Sequence, residues 1–176
     1  AHIRPLISLL KVIDNPAQDI YLAAAMLGPM FGFTDDDLVR LRAQSAAMQK
    51  KAQEEQGAKE TDKRASRMSL YGAVLQVVQN GDETPFTRKV KDFYDRLTAL
   101  RRMARSAPAE QLLEEIFAST GYLAALGVLE NGARRREDAR RFANFCAASG
   151  TGGISALVRA IDAAAQAGST GQDTVP

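Results

Sequence analysis

The sequence predicts an all-α fold, an irregular helical bundle of roughly eight or nine helices, and three observations carry that expectation. Apolar residues recur at three- and four-residue intervals along most of the chain, as helices with one buried face require. No segment shows the period-two alternation of a half-buried strand. The six prolines fall between the periodic segments and never interrupt them.

Taken in order, Pro5 opens a helix whose Leu6, Leu9, Leu10 and Ile13 share one face. "DNPAQD" ends it, because the residue before proline avoids the α region. Asp19 is placed to cap "IYLAAAML", which Gly28 and Pro29 terminate. Thr34 caps a third helix with Asp35, Asp36 and Asp37 in its first turn, where carboxylates complement the macrodipole. Its buried stripe is Leu38, Leu41 and Met48. Residues 49–67 lose their large apolar groups and alternate charge sign, which predicts a solvated helix extension fraying into a flexible charged insert near Gly57.

"MSLYGAVLQVVQNG" predicts a short helix stopped at Asn80-Gly81. Thr84 and Pro85 then cap and open the longest amphipathic run, with Phe86, Val90, Phe93, Tyr94, Leu97, Leu100 and Ala104 at a 3.6-residue period. Ser106 and Pro108 introduce "AEQLLEEIFAST", closed by Gly121. A short "YLAALGVL" follows, then "ENG", then the arginine-rich "ARRREDARRFANFCAAS". "GISALVRAIDAAAQA" runs into a Gly/Ser/Thr tail over 168–176.

Composition narrows the function. A length of 176 residues suits one domain with a sizeable core. Lys and Arg number 23 against 21 Asp and Glu, a net charge of +2, so the chain is not a globally basic nucleic-acid binder. Any such surface must come from local clustering. The single Cys146 cannot form an internal disulfide, which points to a reducing compartment. No apolar run approaches the ~20 residues of a membrane span. A soluble, cytoplasmic protein is expected. The start at Ala1 and the finish at "GQDTVP" suggest a piece of a longer chain.

Catalytic chemistry is hard to find. The only histidine, His2, lies at the terminus, leaving no material for a histidine-based metal site or triad. Cys146 reads as a small core residue. Glu114 and Glu115 are adjacent on a helix and diverge by about 100°. The glycine-rich "SGTGGIS" at 149–155 lacks the lysine of a phosphate-binding loop, since Ile154 follows its last glycine. A helix stop-and-start explains it more simply. No catalytic residue and no metal ligand are expected.

Two places carry the functional interest. Large apolar groups, Met30, Phe31 and Phe33, occupy a helix–helix corner, "GPMFGFT", where turn chemistry asks for small polar ones. Arg134, Arg135, Arg136, Arg140 and Arg141 crowd the start of one helix, against its dipole. Arg134 with Asp138 and Glu137 with Arg141 are i,i+4 pairs, so a solvated, self-neutralised face is one reading. Contact with a phosphate backbone is the other. Arg101, Arg102 and Arg105 make a second, smaller cluster.

The run "LLKVIDNPAQDIYLAAAMLGPMFGFTDDDLVRLR" resembles the start of the 2B subdomain of superfamily-one helicases of the UvrD/Rep type. More specifically it resembles the AddA/RexA family, the A subunits of ATP-dependent helicase/nucleases. "FYDRLTALRRMAR", "LLEEIFASTGYLAALGVLENGARRREDAR" and "ISALVRAID" agree in order and spacing, so the likeness spans nearly all of the chain but the insert and the tail.

The resemblance implies that residues 1–176 form a single all-α accessory subdomain of a longer bacterial chain. The parent would be an ATP- and Mg-dependent DNA helicase/exonuclease acting in double-strand-break repair and recombination. This piece would be non-catalytic and would bind no cofactor itself. Its implied partners are duplex DNA, the companion B subunit of the helicase/nuclease and the motor domains of the parent, with no membrane. The alternative is a protein-interaction module that docks on the partner nuclease subunit or motor core without touching DNA. In the relatives the glycine-containing corner holds duplex DNA through backbone groups, which carries over to Gly32, Phe33 and Thr34. Here Thr34 replaces a second glycine and three aspartates follow, each repelling a nearby phosphate by about 1 kcal/mol. Arg135 and Arg140 stand where the family pattern also reads arginine. With Arg134 and Arg136 they complete the expected DNA-binding set, Arg136 and Arg140 being the better phosphate partners.

Overall fold

The computed structural model describes residues 3–55, 68–149 and 152–170. Within them run α1 (Arg4–Asp14), α2 (Asp19–Met26), α3 (Asp35–Glu55), α4 (Leu70–Asn80), α5 (Pro85–Met103), α6 (Ala109–Thr120), α7 (Tyr122–Gly127), α8 (Gly132–Ser149) and α9 (Gly153–Thr170). No strand occurs among the described residues, and the all-α expectation holds. The helical part of the expected 49–67 insert reaches Glu55, while 56–67 lie outside the described residues. The backbone of α9 continues to Thr170, past the expected start of the tail, and 171–176 lie outside.

The centre of the bundle is α1, where Leu6, Leu9, Leu10 and Val12 are fully buried. It packs on α2, α5 and α9, which explains why its apolar residues spread beyond a single stripe. The second axis is α5. Its predicted stripe is buried as expected, save Tyr94, which packs half-exposed at the edge. Thr84 caps this helix, its Oγ1 accepting from the Thr87 N–H at 3.1 Å, with Pro85 at the first position.

Polar ties fix how the helices meet. Lys11, almost wholly buried, donates to the Tyr21 hydroxyl at 3.1 Å and meets Asp162 Oδ1 at 2.6 Å, joining α1, α2 and α9. Burial pulls its ammonium pKa down, but the bonds to Asp162 and Tyr21 outweigh that and leave it raised above the ordinary 10.5.

Asp19 behaves differently from the expectation. It is the first residue of α2 rather than its cap, and makes no capping bond there. Its carboxylate turns outward: Oδ1 accepts from the Leu70 N–H at 2.7 Å and Oδ2 from Arg42 at 2.8 Å. One carboxylate thus binds the first turn of α4 and a side chain of α3, while Arg42 also bonds the Met68 carbonyl. A bond to a partner 51 residues away was beyond any local rule.

Removing this carboxylate should cost more than an ordinary surface change. Asp19→Ala is expected to destabilise the fold by about 2 kcal/mol, since a helix-end N–H and a guanidinium both lose a charged acceptor. The shift in urea midpoint against wild type measures it, with Asp36→Ala as the exposed control.

Candidate nucleic-acid interface

The corner between α2 and α3 is closed by its own bonds. Gly32 has φ +63°, a left-handed conformation that glycine adopts without strain. Its N–H donates to Gly28 O at 3.1 Å, and the Phe33 N–H donates to Met26 O at 3.1 Å. The Thr34 N–H donates to Asp37 Oδ2 at 3.1 Å, while Thr34 Oγ1 accepts from the Asp37 N–H at 3.1 Å. That reciprocal pair is a capping box with aspartate as its acid. All three residues of the expected backbone grip therefore direct their N–H groups to acceptors inside the protein.

The aromatic residues explain the rest of the corner. Phe31 and Phe33 meet Phe93 of α5 edge to face, with ring centres 4.8 and 5.8 Å apart. Lys89, one turn earlier on α5, donates to Gly32 O at 2.8 Å and Asp37 Oδ2 at 2.7 Å, and sits 4.6 Å above the Phe33 ring. The sequence marked Phe31 and Phe33 but not Lys89. Its partners lie 57 and 52 residues away, and no spacing rule reaches that far.

The arginine block begins at a tight turn. Asn131 takes φ +56°, and a Cβ on Gly132 would fall 2.4 Å from Gly127 O, so only glycine lets α8 start against the end of α7. Ala139 and Cys146 face inward, fully buried. Arg135 is half-buried and donates through Nε to the Glu130 carbonyl at 2.8 Å. It binds the main chain of Glu130, not its carboxylate. Arg141 pairs with Glu137 at 2.5 Å on an exposed face. Arg134, Arg136 and Arg140 are exposed, and the Arg136 guanidinium lies over Gly127.

The structure does not bring the two candidate regions together. The helix α8 packs on α6, α7 and α9, whereas the corner rests on α5. Burial pushes the Cys146 thiol and the Tyr122 hydroxyl up to about 12. Among the described residues no helix is long and apolar enough to cross a membrane.

No family profile matches the chain. Individual relatives do. The chain is 31% identical over 138 residues to the A subunit of the ATP-dependent helicase/nuclease of Thermoanaerobacter sp. (strain X514), covering 78% of this chain and 9% of that protein. It is 34% identical over 135 residues to the protein of the same name from Exiguobacterium sibiricum, covering 77% and 10%. Against that of Lactobacillus acidophilus the figures are 30% over 131 residues, 74% and 9%. The chain thus spans about a tenth of the length of the relatives it matches.

The corner's acid–base balance is open to measurement. The hydrogen bond from Lys89, with help from Thr34, holds the Asp37 carboxyl below its ordinary 3.8 despite partial burial. A depressed carboxyl pKa stabilises the fold above the unfolded value and loses that contribution as pH falls through the folded one. Asp37→Asn should therefore cost about 1 kcal/mol at neutral pH. The gap in urea midpoint between variant and wild type should hold steady above pH 5 and narrow below about pH 4.

Proposed function

The chain is a relative of one segment of the A subunits of ATP-dependent helicase/nucleases, and from that premise we propose that it is the 2B-like accessory subdomain of such an enzyme. In this reading it orients duplex DNA for a bacterial, cytoplasmic helicase/exonuclease working in double-strand-break repair and recombination. The observation that carries the DNA contact is the exposed arginine face of α8. Arg136 and Arg140 are one turn apart, both exposed, and neither is engaged in an ion pair among the described residues, so they are available to phosphates. Arg134 extends that face, and Arg135 anchors its base through Glu130.

Gly32, Phe33 and Thr34 take a supporting role in the same proposal. With their N–H groups bonded internally and Asp35 and Asp36 exposed beside them, they set the direction of α3 and offer a phosphate little. ATP and Mg would belong to the parent's other domains. The described residues fit neither: no group of three or more His, Cys, Asp or Glu is placed to hold a metal ion, and Ile154 stands where a phosphate-binding lysine would be needed.

A second reading, docking on the companion B subunit or on the motor domains, is favoured by a different observation. Ile20, Val39 and Val128 are 82%, 68% and 87% exposed, and each would bury apolar area against a partner.

The two readings separate in a salt titration. The DNA-orienting role predicts sequence-independent duplex binding by this chain, with Kd on the order of 10–100 μM at physiological salt. The double variant Arg136→Glu with Arg140→Glu should reduce the slope of log K against log salt by roughly 2. An unchanged slope assigns those arginines to structure, and no binding at low salt removes the DNA role.

A further inference from the structure

Beside the corner, between Met30–Phe33 and the first three turns of α5, lies a cleft of about 420 Å³ that the arginine face of α8 does not include. Its apolar lining is Met30, Phe31, Phe33, Pro85 and Phe93, and its charged lining is Arg88, Lys89, Asp92 and Arg96. We propose that this cleft is a docking site for a short acidic protein segment carrying one large apolar or aromatic anchor residue.

The floor supplies the anchor's environment. Phe93 is buried beneath Phe31 and Phe33, which meet it edge to face, so an anchor packs against the half-exposed Phe31 and the exposed Pro85 beside it. A nucleobase is a poorer fit, because it needs an open ring face on which to stack. The Phe33 face is taken by Lys89, and Phe93 is covered by its two neighbours.

The rim supplies the sign of the charge. Lys89 is already balanced by Asp37. Arg88, Asp92 and Arg96 follow at four-residue intervals along one face of α5. Arg96 donates one N–H to Ser119 O at 2.9 Å and keeps its other donors. Arg88 and Asp92, though i,i+4 neighbours, form no ion pair among the described residues. Glu83 also feels the Arg88 charge but is paired with Lys91, so among the lining residues two guanidiniums against one carboxylate leave the wall net positive. A carboxylate-bearing segment is drawn to it, and a basic one is repelled. The cleft's chemistry stands whether or not α8 binds DNA.

The probe is an acidic pentapeptide with a central tryptophan, titrated into the 176-residue chain and followed by amide chemical shifts. Shifts confined to residues 30–33 and 85–96 are expected. Arg88→Glu should weaken binding about tenfold, and Asp92→Asn should strengthen it two- to threefold, by roughly the worth of one exposed charge contact. Replacing the tryptophan with glycine should abolish the shifts. Both substitutions are at exposed positions, and an unchanged thermal midpoint confirms that each variant folds. Equal binding of the glycine peptide or of a basic pentapeptide overturns the proposal, as does an unaffected Arg88→Glu variant. Stronger shifts at the same residues with single-stranded oligothymidylate would assign the cleft to nucleic acid and also overturn it.

Discussion

Lys89 is the point on which the geometry of the corner turns. A single ammonium donates to the Gly32 carbonyl and the Asp37 carboxylate and covers the face of Phe33, and so joins the loop, the start of α3 and α5. Each contact alone is modest, since the group is about a third exposed. Their convergence matters more than their sum. With the carbonyl and the carboxylate both held, the left-handed Gly32 and the capping box at Thr34 are fixed relative to Phe93, and the direction of α3 follows. The large apolar residues at this corner are therefore its packing, and the glycine beside them is what lets the backbone bring both rings onto one neighbour.

The arginine helix shows the opposite arrangement. Arg134 and Arg135 in the first turn of α8 oppose the helix dipole, each by a few tenths of a kcal/mol when exposed, while Arg140 and Arg141 lie near the middle of the helix. The structure offsets part of this. Arg135 bonds a carbonyl in the preceding turn, and Arg141 pairs with Glu137 one turn away. Neither contact accounts for the exposed Arg134, Arg136 and Arg140. A helix selected for stability alone would carry acids in this turn, which is the pattern α3 displays with Asp35, Asp36 and Asp37. The contrast between two helices of one small protein supports reading the arginines as a surface kept for an outside anion.

Local rules recovered what local physics determines. Proline and threonine placed the start of α5, the 3.6-residue stripe gave its buried face, and Thr34 was legible as a cap because capping acts within four residues. What escaped was every interaction across the bundle. Asp19 looks like a cap from its neighbours in sequence, yet its carboxylate oxygens accept from Leu70 and Arg42. Lys11 sits inside an apolar run with no hint that Tyr21 and Asp162 would meet its ammonium where α1, α2 and α9 join. Arg88, Lys89 and Arg96 lie off the apolar stripe of α5, and only the folding of Phe31 and Phe33 against Phe93 makes them the rim of a cleft. Residue type announces a cap or a stripe. It does not announce a partner fifty residues distant.

That division bears on how the two candidate surfaces relate. The cleft is built from α5 and the loop before α3, the arginine face from α7 and α8, and they share no side chain. Additivity is expected for sites with no common partner, so a charge change on α8 should leave the cleft's chemistry intact, and the reverse. The bundle between them is stiffened by buried Leu, Val and Phe side chains and by the Lys11 and Asp19 ties, which fix the helices without reaching either surface. A rigid body with two independent faces can hold one partner in a set orientation to another.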